Sequence, residues 1–203
     1  MAAPSYNKDY EKLSYWEKRY KDEGSFDWGC DVQKCLQQLT QVIPKEARIL
    51  VLGCGNSEMS YKLYQLGYKN IVNVDYSEVV IQKMAEKYSE MEGMTWQTMD
   101  MYHLDFPEES FDCVLEKCTF EVLFCKEKSP WETSSETVDN FNKVLHQVEN
   151  VLRPGGQLVS ISFTQPHFRL PLLRQSLPDW AFEYKTFGDM FHYFVYIGSK
   201  GKS

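Results

Sequence analysis

Ile49-Leu50-Val51-Leu52-Gly53-Cys54-Gly55-Asn56-Ser57, with Val72-Asn73-Val74-Asp75 further along the chain, is the stretch that decides the fold. Four consecutive apolar residues bounded by glycine predict a strand buried on both faces. Gly53 and Gly55 predict a tight turn whose backbone a ligand can approach closely. Asp75 ends a second apolar strand about 20 residues after Gly55, the spacing at which an acid accepts hydrogen bonds from ribose hydroxyls. The two stretches together read as a site for a nucleotide-like cofactor.

Upstream, Tyr10, Leu13, Trp16 and Tyr20 recur at helical spacing and predict an aromatic-faced helix over residues 7–22. Asp31 can cap a short helix to about residue 42, and Pro44 ends it. Downstream, Ser57 can cap a helix reaching residue 66. Strands are expected at 48–52, 71–74, 95–98 and 111–116, with a helix capped by Ser77 over about 78–90. Val138, Phe141, Val144, Leu145, Val148 and Leu152 predict an amphipathic helix. Arg153-Pro154-Gly155-Gly156 stops it, in a sequence suited to a type II turn. A strand over 157–163 follows, then aromatic runs at 180–187 and 192–197 that predict a terminal hairpin around Gly188-Asp189. This alternation predicts an α/β fold: a doubly wound, mostly parallel seven-stranded sheet with a terminal antiparallel hairpin. Such sheets bind ligands beyond the carboxyl ends of their strands, where residues 53–57, 75–76, 100–101 and 116–118 fall.

A chain of 203 residues predicts one domain, with residues 1–45 as a helical cover on an α/β core over 46–203. The net charge of −7 argues against a nucleic-acid partner. No apolar run approaches the roughly 20 residues that cross a bilayer, so no membrane partner is expected. Residues 1–9 lack the apolar stretch of a signal peptide, and a cytoplasmic protein is expected. Cysteines 30, 35, 54, 113, 118 and 125 form no C-x-x-C pair. They are expected to be reduced, mostly small core residues, with no zinc.

The cofactor is read from what the glycine turn lacks. A dinucleotide fingerprint has a third glycine where this chain has Glu58, and a glutamate there would face a pyrophosphate. S-adenosylmethionine has no phosphate and carries a sulfonium cation, so the turn leans away from NAD. Asp100 ends the third strand, where a carboxylate can accept from an adenine amino group.

The blocks VLGCGNS, NVDYS, TMD, SFDCVLEKCTFE and VLRPGG together resemble the class I, seven-stranded S-adenosylmethionine-dependent methyltransferases. With Tyr15-Trp16-Glu17-Lys18-Arg19-Tyr20 and Leu115-Glu116-Lys117, the chain resembles the branch that holds the elongation factor 1 alpha lysine methyltransferases. The resemblance implies S-adenosylmethionine as cofactor and a protein substrate, elongation factor 1 alpha. It implies that Gly53 and Gly55 lie under the methionine and ribose, that Asp75 holds the ribose, and that Tyr76 lies beside the adenosine. Asp100 and Met101 would bracket adenine, and Lys117 would meet the cofactor's polar end. Trp16, Tyr20 and Trp28 would close over it, aromatic faces attracting a cation by about 0.5–2 kcal/mol each.

The branch often reads K-G-T-L-D where this chain has Lys117-Cys118-Thr119-Phe120-Glu121, and cysteine in place of glycine makes a positive φ unexpected there. No N/D-P-P-Y sequence follows the fourth strand, which disfavours an amide or base amine as acceptor. A lysine acceptor, with an ordinary pKa near about 10.4, must lose a proton. Glu116 and Glu121 are candidates to help, or else salt-bridged loop carboxylates; no catalytic base is named. The 117–136 connection reads as a lid or recognition loop, and His167 as a substrate contact or a structural side chain. A small-molecule methyltransferase and a non-catalytic cofactor-binding scaffold are the competing readings.

Overall fold

β1 (Ile49–Leu52) is apolar at every position because it lies mid-sheet and is covered on both faces. β2 (Ile71–Asp75) and β4 (Phe111–Lys117) flank it in parallel, with Val51 opposite Asn73 on one side and Leu115 on the other. β3 (Met94–Thr98) lies outside β2, and β5 (Leu152–Ser162) outside β4, again parallel. β7 (Tyr193–Ser199) returns antiparallel along β5, and β6 (Ala181–Phe187) pairs with β7 at the edge. The order is β3-β2-β1-β4-β5-β7-β6. This computed structural model describes residue 4 and residues 6–202. The seven-stranded, mostly parallel sheet with its terminal hairpin is the one expected.

Alternate strand residues feed two apolar cores. Ile49, Val51, Cys113 and Leu115 pack with α1 (Leu13–Asp22), α2 (Val32–Leu39), α3 (Met59–Gln65) and α4 (Glu78–Lys87). Leu50, Leu52, Val114 and Leu158 pack on the other face with α5 (Ser135–Val151) and α6 (Pro166–Ser176). Asp31 and Ser77 cap α2 and α4 as their positions predict. Ser57 accepts from the Met59 N–H at the start of α3, with Glu58 as the boundary residue.

Several expectations need correction. The helix over 7–22 divides at Lys12 into a short 3-10 helix (Asn7–Glu11) and α1. The Trp16 indole N–H donates to the Tyr10 carbonyl at 2.6 Å, folding the first segment onto the second. The sequence around Pro154 is not a free turn, because β5 begins directly after α5 and the Gly155 N–H donates to the Lys200 carbonyl. α6 lies where the sequence predicts no helix. Pro166 sits in its first turn, where no amide is needed, and Pro171 lies inside it, so the segment reads as broken.

The cysteines are not all free: Cys30 and Cys35 form a disulfide. Cys30 directly precedes the Asp31 cap and Cys35 is the fourth residue of α2, the two positions that meet across a helix start. Cys54 and Cys113 are free and buried, as expected. Among the described residues no helix is long and apolar enough to cross a membrane, and no acid, histidine and cysteine group is placed to hold a metal.

Candidate active site

Beyond the carboxyl ends of β1, β2 and β4 lies a cavity of about 540 Å³. Gly53 and Gly55 turn the chain there with φ of 64° and 51°. A β-carbon on Gly53 would meet Thr119 Cγ2 at 2.4 Å, and one on Gly55 would meet the Tyr20 hydroxyl at 3.0 Å. Only glycine fits both the backbone conformation and the space.

Asp75 ends β2 and is buried. One carboxylate oxygen accepts the Gly55 N–H and the other the Ser77 N–H, each at 3.0 Å. Burial raises its carboxyl to about 6, against the opposing pull of those amides. Burial likewise pushes the neighbouring Tyr76 phenol up. Asp100 is exposed after β3 and accepts the Tyr102 N–H at 2.9 Å, with Met101 half-buried beside it.

The amino-terminal segment covers these groups. Trp16 stacks on Tyr20 with ring centres 5.6 Å apart, and Trp28 meets Trp16 edge-on at the same separation. Arg19 lies 4.6 Å over Trp28 and is held by Glu23 at 2.8 and 2.6 Å. Lys83 of α4 donates to the Tyr20 and Glu23 carbonyls at 3.1 and 2.6 Å, and Asn56 donates to the Gly24 carbonyl. Lys117 donates to the Trp28 carbonyl at 2.7 Å, and Tyr193 to that of Gly29 at 2.9 Å. The cover is therefore tied to β4, α4 and β7 by side chains that reach its backbone. Tyr20 and Trp16 are also core residues, so packing and lining are one role here.

Trp16, Tyr20, Trp28, Gly53, Gly55, Asp75, Tyr76, Asp100, Met101 and Lys117 all line this one cavity. Thr119, Val122, Cys125, Glu136 and Phe163 also line it without any individual signal in the sequence, and so does Glu121, which the sequence offers as a proton-handling candidate or a salt-bridged loop carboxylate. Thr119 is the most consequential omission. Its hydroxyl donates to the Leu52 and Gly53 carbonyls at 3.0 and 3.3 Å, bracing the glycine turn from beneath. Nothing in the spacing of a lone threonine signals that bond. His167 does not line the cavity; it packs with Trp131 and Phe168 outside it.

Cys118 departs from expectation with φ of 58°. The Glu116 carboxylate gathers the Thr119 and Phe120 N–H groups at 2.9 and 3.2 Å, and so draws the chain back over the end of β4. That reversal holds Cys118 in a left-handed conformation costing about 1–2 kcal/mol. Glu116 is wholly buried and also accepts the Ser160 hydroxyl. Burial first, and the charge of Glu121 second, push its carboxyl up. Glu121 instead forms an ion pair with buried Arg169 at 2.8 Å.

The lining suits a cation without phosphates. Five carboxylates (Glu11, Asp75, Asp100, Glu121 and Glu136) face two lysines (Lys117 and Lys126), beneath an aromatic cover. Residues 43–194 match the family described as a methyltransferase domain. The chain belongs to this family, and its fold is that of the class I S-adenosylmethionine-dependent methyltransferases. EEF1A lysine methyltransferase 4 of Mus musculus is 41% identical over 203 residues, 98% of this chain and 80% of the relative. The Bos taurus protein of that name is 38% identical over 202 residues, 98% and 79% of the two chains. The N-methyltransferase NodS from Bradyrhizobium japonicum WM9, solved with S-adenosyl-l-homocysteine, shares the fold with a TM-score of 0.67 at 12% identity. That likeness covers 93% of this chain and 97% of NodS.

Proposed function

We propose that this chain is a cytoplasmic protein-lysine N-methyltransferase acting on translation elongation factor 1 alpha, with S-adenosylmethionine as its cofactor. The observation that carries the substrate is the 41% identity to the mouse EEF1A lysine methyltransferase 4 across 98% of the chain. When bound, S-adenosylmethionine supplies a methyl group already activated on a sulfonium. Asp75 accepts from the ribose hydroxyls, with Tyr76 alongside. Asp100 and Met101 bracket the adenine, one by hydrogen bonding and the other by soft apolar contact. Gly53 and Gly55 leave the backbone bare beneath the methionine and ribose. Lys117 donates to the Trp28 carbonyl and pairs with Asp27 at 3.7 Å, and its further N–H suits the methionine carboxylate. Trp16, Tyr20 and Trp28 exclude water and present aromatic faces to the positive charge.

The remaining work of the protein is to align a neutral amine and to keep water out. Cys125, Glu136, Asn140 and Phe163, from the loop after β4, from α5 and from the end of β5, line the part of the cavity left for the acceptor. Desolvation there favours the neutral amine over the ammonium.

Incubation of the pure protein with labelled S-adenosylmethionine, and with an extract lacking the native enzyme, tests this reading. A single labelled band that comigrates with elongation factor 1 alpha, with label on lysine after hydrolysis, is expected. Label confined to small molecules would replace the reading with a small-molecule methyltransferase. Cofactor binding with no labelled product would leave a scaffold.

A further inference from the structure

We infer that Glu121 is the group that receives the acceptor amine: its Oε2 holds the incoming ammonium by a hydrogen bond and takes its proton. The inference rests on the lysine reading above and adds the residue that handles the lysine. Glu121 lies in the short 3-10 helix Phe120–Phe124 after β4 and lines the cavity, nine-tenths buried. Its two oxygens differ sharply. Oε1 accepts from the Ser162 hydroxyl, from Thr164 at 3.2 Å and from Arg169 Nη2 at 2.8 Å. Oε2 is buried with no partner, as are Nε and Nη1 of its ion-pair partner Arg169.

Every other buried carboxylate of the site has a donor on each oxygen. Asp75 has an amide on each oxygen, and Glu116 has a hydroxyl on one and two amides on the other. A buried carboxylate oxygen left without a donor costs free energy, because it has given up its hydrogen bonds to water. A donor brought by the substrate removes that cost. Glu121 comes from the β4–β5 side of the sheet, whereas the proposed cofactor contacts come mostly from β1, β2, β3 and the amino-terminal cover. Arg169, packed 4.7 Å over Phe124 and 5.2 Å over Phe141, anchors Oε1 and so fixes the carboxylate.

The ammonium gives one proton to Oε2, and the nitrogen lone pair so freed forms the new N–C bond. The methyl carbon's bond to sulfur breaks as that bond forms, and sulfur keeps the electron pair. The proton leaves Glu121 for solvent after the product departs. Ionisable groups from every packed element face this carboxylate: Glu116 from β4, Cys118 and Cys125 from the following loop, Arg169 from α6 and Tyr196 from β7.

The test uses n-butylammonium, a mimic of the lysine end, titrated into the S-adenosylhomocysteine complex and read by calorimetry. Methyl transfer to elongation factor 1 alpha is followed in parallel across neutral to alkaline pH. Glu121→Gln is expected to keep S-adenosylhomocysteine affinity within about threefold, yet bind butylammonium at least about tenfold more weakly. Its methyl-transfer rate should fall by about 10²–10⁴ and rise steadily with pH, as for an amine that must deprotonate unaided. Because this change leaves Arg169 without its carboxylate, the double variant Glu121→Gln with Arg169→Met guards against misfolding. It should recover the melting temperature but not the rate or the amine affinity. A folded variant of either kind with wild-type amine affinity and rate would overturn the assignment, as would a wild-type complex that does not bind butylammonium. Amine binding through Glu121 without labelling of elongation factor 1 alpha would overturn the substrate reading alone.

Discussion

Asp75 is subject to two opposed demands. Ribose hydroxyls need an ionised acceptor, yet the carboxylate is 5% exposed and its pKa is raised to about 6. Because the folded pKa lies above the unfolded value, the folded state binds this proton more tightly. Ionisation of Asp75 therefore costs stability as pH rises from about 4 through 6, by about 3 kcal/mol at most. Asp75→Asn should abolish that pH dependence of stability, although its amide accepts only one of the two backbone N–H groups, and should weaken S-adenosylhomocysteine by about ten- to a hundredfold. Thermal melts and calorimetry on the same sample check both halves, and unchanged affinity would remove Asp75 from the site. The same pKa predicts that wild-type affinity falls about tenfold between neutral pH and pH 5, as the acceptor becomes protonated. At Gly53 the constraint is steric as well as conformational. Gly53→Ala should lower stability by about 1–3 kcal/mol, through a strained φ and a collision with Thr119. The glycines and Asp75 were legible in sequence because turn conformation and spacing are local properties. Thr119 carries no such signal, because its role depends on a partner 67 residues away, and the two readings of Glu121 stay open in sequence because its Ser162 partner lies 41 residues away.

At the scale of elements, the amino-terminal cover is both packing and lid. α1 rests on α4, with Lys83 reaching its carboxyl end, and Tyr20 stands over Gly55. Deleting residues 1–29 should abolish cofactor binding and methyl transfer and lower the melting temperature, because the exposed face of α4 loses its cover. Circular dichroism should still report the sheet, whose first strand begins at Ile49. In the full chain, amide exchange over residues 10–28 should slow when S-adenosylhomocysteine is added, since a ligand beneath the cover opposes its opening. Identical exchange with and without ligand, with full activity in the truncated protein, would reduce the segment to packing. The aromatic stripe was readable at helical spacing, but the break at Lys12 was not. It follows from a hydrogen bond between Trp16 and Tyr10, which a periodicity cannot encode. Prolines concealed α6 for the converse reason. Local preference argues against a helix there, and burial of Leu170 and Leu173 in the second core overrides it.

For the molecule as a whole, ligand binding to the folded state must appear as stability. S-adenosylhomocysteine at a hundred times its dissociation constant should add about 2.7 kcal/mol to unfolding, and NAD should add nothing. A melting shift with NAD alone would sink the cofactor assignment, which began from Glu58 standing where a dinucleotide turn has glycine. The sequence by itself determined the sheet, its terminal hairpin and the class of cofactor, because apolar runs, glycine turns and strand-end acids each act within a few residues. Only the tertiary structure decided that Asp75 is buried, that Cys30 meets Cys35, and that Glu116 bends the chain into a left-handed Cys118. It alone left Oε2 of Glu121 without a donor. These outcomes depend on which distant groups arrive at the same point and on how much water they displace, and a linear pattern carries neither.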